Sequence, residues 1–219
     1  GAPVAILSRR RVQEQVLAHF LQQLGPGSVV TAVVTRLESF GAFLDIGCGV
    51  VALLPLASIS TAHIRHPRER FAMGQRIFAV VQEIDRAARR ITLSHKELLG
   101  SWEENAALFS PGETVAGVIR SSESYGVFIE LTPNLAGLAE PRGDVFPGQH
   151  ASVFIKSLIP EKMKVKLILV DAFDASYPVQ PFHYFVQEDH LSYWRYPPPV
   201  CGKRIETKFD EPQTEENPT

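Results

Sequence analysis

Phe40 and Phe43 flank Gly41-Ala42, and 85 residues further on Tyr125 and Phe128 flank Gly126-Val127. Each pair stands in a stretch of alternating apolar residues, the pattern of a half-buried strand. Two aromatic rings beside a glycine can do one of two things there. They can offer flat π-faces on which unstacked rings, nucleobases among them, can lie, or one of the two can fill a core. The repeat extends beyond the aromatics, because Gly27-Ser28-Val29-Val30 falls on Gly112-Glu113-Thr114-Val115 at the same offset. Self-similarity at this period indicates two copies of one small domain.

Chemistry of other kinds has little support. The sequence has no Gly-rich phosphate loop, no His-Glu-x-x-His and no Cys-x-x-Cys. Cys48, between Gly47 and Gly49, reads as part of a turn. His183, His190 and Cys201 match no common metal-ligand spacing. No catalytic residue, metal or cofactor is expected, and the chain is expected not to be an enzyme. Two cysteines cannot build a disulfide framework, which suits reduced thiols in a cytoplasmic protein. No apolar run approaches the roughly 20 residues of a membrane helix. Gly1–Leu7 has no basic region before its apolar part, so no signal peptide is expected.

The chain has 219 residues and a net charge of −2. The balance is uneven: residues 27–100 carry nine Lys or Arg against six Asp or Glu, and residues 172–219 carry four against eight. This is a modest basic footprint on the first half, well short of a strongly cationic binder.

The elements that must position the aromatics follow from periodicity. From Arg9 to Gln23, Val12, Val16, Leu17, Phe20 and Leu21 recur at helical spacing, with Ser8 as cap and Gly25-Pro26-Gly27 as stop. Short strands are predicted at Val29–Leu37, Phe40–Ile46, Val50–Leu54, Gln75–Ile84 and Arg89–Leu93, with Asp85–Ala88 as a hairpin turn. The second copy repeats them at Glu113–Ser121, Tyr125–Leu131, Leu135–Ala139, Gln149–Leu158 and Lys162–Leu169. Ser94 and Glu97 have capping-box spacing, predicting a linker helix through Leu108. The connection after the third strand runs from Pro55 to Gly74 in the first copy but only from Glu140 to Gly148 in the second, so the second barrel is trimmed on one side. In a strict pleat Phe40 and Phe43 would point to opposite faces, and a bulge at Gly41 is expected to bring them together. Ile6-Leu7-Ser8 before a helix parallels Ile91-Thr92-Leu93-Ser94, so the chain is expected to start at the last strand of an earlier module.

Five segments together resemble the S1 RNA-binding domain: Gly27–Val34, Phe40–Gly47, Leu53–Ser60, Val80–Asp85 and Arg90–Ser94. The resemblance is strong over 27–96 and weaker over 112–171. It implies an all-β chain of two tandem five-stranded OB-fold barrels. The division is residues 1–26, the end of a preceding module with a linker helix; 27–96, the first barrel; 97–110, a linker helix; and 111–171, the trimmed second barrel. An aromatic-rich extension, 172–209, and a disordered acidic tail, 210–219, complete it. The resemblance further implies that Phe40 and Phe43 are exposed stacking platforms, with Asp85 and Arg90 as phosphate or ribose neighbours and Arg86 and Arg89 flanking them. A plain solvated hairpin is the other reading of these four. In the second barrel Tyr125, Phe128 and Lys164 take the corresponding places, without the turn Asp. The family often places a His at the end of strand three, where this chain has Pro55 and Glu140; both departures weaken the site.

Nine of the 37 residues from Phe173 to Phe209 are aromatic, against 20 in the whole chain, so this extension must either fold back or bind something. Folding back onto the shortened side of the second barrel is the expectation. Two functions are then open. One is a non-catalytic, monomeric module for single-stranded RNA, linked to the ribosome or to messenger RNA. The other is a scaffold that docks on protein, ribosomal proteins among the candidates, through its barrels and the aromatic extension.

Overall fold

The computed structural model describes residues 9–177 and 181–209. The expected earlier-module strand at Ile6–Ser8 and the expected disorder of 210–219 both fall outside them. Helix α1 (Arg9–Gln23) leads into five strands: β1 (Val29–Glu38), β2 (Gly41–Asp45), β3 (Val51–Pro55), β4 (Arg76–Asp85) and β5 (Arg90–Ser94). They close into a barrel in the order β1-β2-β3-β5-β4, in which only β3 and β5 run parallel. Strands β6 (Thr114–Glu123), β7 (Gly126–Thr132), β8 (Leu135–Ala139), β9 (His150–Ile159) and β10 (Lys164–Phe173) close a second barrel in the equivalent order. Closure removes the open sheet edges that would otherwise invite pairing with another chain.

Alternation decides which side chains go inside. In the first barrel Ala32, Val34, Ala42, Leu44, Leu54, Ala79 and Leu93 are buried, and their neighbours along each strand face out. In the second, Ile119, Val127, Ile129, Val153, Ile155 and Leu167 do the same. Small residues alternate with large ones, which lets a narrow barrel fill without voids.

The linker departs from its predicted form. Ser94 closes β5, and its hydroxyl donates to the buried carboxylate of Glu97 instead of capping a helix. Glu97 also accepts from the Thr207 hydroxyl at 2.9 Å. A short 3-10 turn at Lys96–Leu99 ends at Gly100, whose φ of +82° interrupts the path. Helix α2 (Trp102–Ala106) begins only after it, with Ser101 and Glu104 forming the capping box.

The extension also goes elsewhere than expected. Most of it packs on the first barrel and on the junction, and on the second barrel it places Tyr196 against the core and the Tyr177 ring 4.6 Å from His150. The Val29 N–H donates to the Asp189 carbonyl and the Leu191 N–H to the Gly27 carbonyl, both at 2.8 Å. Phe209 lies with Val80 and Leu98 over the outer face of β1 and β4. That face carries apolar side chains that need cover, whereas the short Glu140–Gly148 connection closes its own side with buried Val145. A two-stranded hairpin, β11 (Tyr193–Arg195) with β12 (Glu206–Lys208), buries Trp194.

Loop and strand also join the two barrels. The Thr61 N–H donates to the Asn134 side-chain oxygen at 3.0 Å, and the Asn134 amide nitrogen donates to the Lys96 and Gly100 carbonyls at 2.8 Å. Tyr196 donates its hydroxyl to the Asn134 carbonyl at 2.6 Å. Arg70, in the long connection of the first barrel, pairs with Glu130 on β7, and Arg120 on β6 bonds both Glu130 and Glu69.

Candidate nucleic-acid interface

Phe40 occupies the turn between β1 and β2, and Phe43 faces out from β2. Their ring centroids are 5.9 Å apart at 86°, an edge-to-face pair. Tyr125 and Phe128 repeat this at 6.0 Å and 84°. Phe40 is 57 % and Tyr125 66 % exposed, while Phe43 and Phe128 are half-buried and belong to neither core. Each pair is therefore a surface feature, and the reading of one ring as core is set aside.

The expected bulge at Gly41 is absent. β2 pairs with β3 residue for residue, from Gly41 opposite Pro55 to Asp45 opposite Val51. The register shift lies instead on β1, between Val34 and Arg36, and recurs on β6 between Ile119 and Ser121. Phe40 shares a side with Phe43 because it precedes the strand, where the alternation of the pleat does not yet apply. The glycine answers a different need. A Cβ at Gly41 would sit 2.4 Å from the Leu54 carbonyl oxygen, and one at Gly126 2.7 Å from that of Ala139.

Cross-strand pairing extends the aromatic face. Phe43 is opposite Leu53, and Leu53 is opposite Thr92 on β5. A shallow groove of about 320 Å³ follows this row, with Phe43, Val51 and Leu53 as its floor and Arg89 and Arg90 at its far end. The Arg36 guanidinium carbon stands 5.8 Å from the Phe43 centroid, a cation–π contact that the sequence reading missed.

The hairpin residues divide by role. Asp85 accepts the Ala88 N–H at 2.7 Å and so shapes the turn. Arg86 donates through Nε to the Leu21 carbonyl at 3.2 Å, holding one of the free carbonyls at the end of α1. Arg89 and Arg90 remain to face the groove. Arg89 adopts φ +54°, and Met163 adopts φ +49° just before β10, so the two barrels turn alike although only the first has the Asp.

In the second barrel Phe128 is opposite Leu138, and Leu138 is opposite Lys166. Lys164 and Lys166 are both exposed along β10. Lys166 went unnoticed in the sequence, yet Lys164-Val165-Lys166 is the out-in-out signature of a strand presenting two cations on one face. Glu140 is exposed just beyond β8.

Comparison with known proteins bears on this geometry. The S1 RNA binding domain matches residues 23–96, the whole first barrel with the end of α1. The first barrel is an S1 domain. Over 178 residues, 74 % of this chain and 45 % of the relative, it is 33 % identical to small ribosomal subunit protein bS1 of Staphylococcus aureus (strain COL). Over 138 residues, 61 % of this chain and 36 % of the relative, it is 37 % identical to the bS1 homolog of Bacillus subtilis (strain 168). The chain spans less than half the length of either relative. Among the described residues no cluster of His, Cys, Asp or Glu could hold a metal ion, and no helix is long and apolar enough to cross a membrane. Cys48 is exposed and Cys201 buried, both as free thiols.

Proposed function

We propose that this chain is a non-catalytic module that binds single-stranded RNA with little sequence preference, in the setting of the ribosome or messenger RNA. One observation carries the reading. The S1 barrel presents an exposed edge-to-face pair, Phe40 and Phe43, beside Arg36 and in line with Arg89 and Arg90. Stacking platforms next to a cationic track are what sequence-tolerant recognition of single strands needs, because every base has a π-face and every nucleotide a phosphate. The ribosomal setting is supported by relatives that carry the name of a small-subunit protein. The second barrel repeats the aromatic pair with Lys164 and Lys166 but sets Glu140 nearby, so it binds more weakly. The extension buries Trp194 and Phe209 and half-buries Phe182, Tyr184, Phe185 and Tyr196 against the rest of the chain, which leaves Phe173, Tyr177 and Tyr193 as the aromatics a docking scaffold would have to use.

Fluorescence anisotropy with a labelled single-stranded RNA of about a dozen nucleotides, the upper range of OB-fold site sizes, tests this. Binding that weakens steeply with salt and is lost on replacing both Phe40 and Phe43 by Ala supports it. Absence of binding at low salt overturns it.

A further inference from the structure

The junction of the barrels holds a cleft apart from the aromatic face of the first barrel. The cleft, of about 480 Å³, lies between β6 and β7 of the second barrel, the long connection of the first, and the extension. Its position follows from the register. Val118 is opposite both Glu130 and His150, and Glu130 stands two residues from Phe128 on the same outward face of β7. The cleft therefore begins one pleat repeat from the Tyr125–Phe128 platform, along the same surface.

Its lining has the chemistry of a nucleotide site. Val118, Leu108 and Leu131 give an apolar wall, and the extension adds the rings of His183 and Phe185, which meet edge to face at 4.6 Å. Glu69 and Glu130 would repel an anion, but Arg120 bonds both and Arg70 pairs with Glu130. Arg68 is the third cation on the lining, exposed and without a side-chain partner among the described residues. Three Arg against two Glu leave one positive charge to be met. The volume lies within the range of about 300–1,000 Å³ usual for small-ligand pockets.

We infer that this cleft holds one unstacked nucleotide of the bound RNA strand, its base against the apolar and aromatic walls and its phosphate at Arg68. The inference rests on the proposed function and adds a subsite that belongs to neither barrel alone. It also gives the extension a role in binding, because that segment supplies one wall.

Two measurements test it. In the first, single-stranded oligouridylate 12-mers with one 4-thiouridine at successive positions are irradiated with the full chain, and cross-links are mapped by mass spectrometry. Cross-links within residues 181–185 as well as at Phe40–Phe43 are expected. In the second, anisotropy is followed for Arg68→Gln and for Arg65→Gln, a residue of the same connection outside the cleft. Arg68→Gln is expected to weaken binding on the order of three- to tenfold at low salt and to lower the salt slope by about one, with a smaller change for Arg65→Gln. Cross-links confined to the two aromatic platforms, or equal effects of the two Arg variants, overturn the inference while leaving RNA binding by the barrels intact. A wild-type chain that binds no RNA overturns the proposed function itself.

Discussion

Arg70 of the first barrel and Glu130 of the second form an ion pair with side chains only 3 % and 8 % exposed. A pair so buried joins two domains that the sequence presents as separate beads. Arg120 adds two bonds to the same carboxylate, at 2.8 and 3.0 Å. Loss of Glu130 would leave two guanidinium groups short of their counter-charge. Glu130→Ala is expected to destabilise the chain by about 3–5 kcal/mol, whereas Glu14→Ala, which breaks the exposed Arg10–Glu14 pair, should lie within error. Urea denaturation of the two variants checks the contrast.

The proposed stacking role of Phe40 separates binding from stability. Phe40 is largely exposed and contributes little to the core, so Phe40→Ala should leave the unfolding midpoint nearly unchanged. Its loss should cost about 1–3 kcal/mol of RNA affinity, the usual worth of one base–aromatic stack. Anisotropy titration beside thermal unfolding gives both numbers on one sample. A variant that loses stability instead of affinity would assign the ring to packing.

Gly41 and Gly143 provide a matched pair. A methyl group at Gly41 meets the Leu54 carbonyl at 2.4 Å, and at Gly143 it meets nothing within 4 Å. Gly41→Ala must push β2 from β3 and should cost about 1–3 kcal/mol, displacing both aromatics as it does so. Gly143→Ala should stay within about 0.5 kcal/mol of wild type. Thermal unfolding and RNA titration of both variants give the comparison.

His95 makes stability depend on pH. Its Nδ1 lies 3.0 Å from the Ile59 carbonyl, which can only accept, so Nδ1 carries the proton. Nε2 then accepts from the Tyr184 hydroxyl at 3.2 Å. Burial pushes the imidazole pKa down to about 4 from its ordinary 6.5. The unfolded chain takes up a proton near pH 6.5 that the folded chain refuses until about 4. Stability is therefore full above pH 6.5 and falls as pH drops toward 4, by up to on the order of 3 kcal/mol. Denaturation at pH 7.5, 6 and 5 should show this slope, and His95→Gln should flatten it. An unchanged slope in that variant would place the acid sensitivity elsewhere.

Much of the architecture was legible from single segments. Period-two alternation located the ten barrel strands to within a few residues, because each buries one face and shows the other to water. The repeated aromatic–Gly pattern located both exposed ring pairs, because the close approach at Gly41 and Gly126 admits no larger residue. Local pattern failed where a residue's partner lay far along the chain. Glu97 has the spacing of a helix cap, yet its carboxylate is claimed by Ser94 and by Thr207, 110 residues away.

The sequence by itself determined two repeated small barrels, their strands and the place of an aromatic pair at the start of each second strand, since each follows from the type and spacing of neighbouring residues. Only the tertiary structure decided where the extension lies, which hairpin arginines remain for a ligand, and that the barrels are clasped together. Arg70 and Glu130 stand 60 residues apart on segments with no shared period. Their pairing depends on the low-dielectric junction that forms when the two barrels meet, and no local pattern records it.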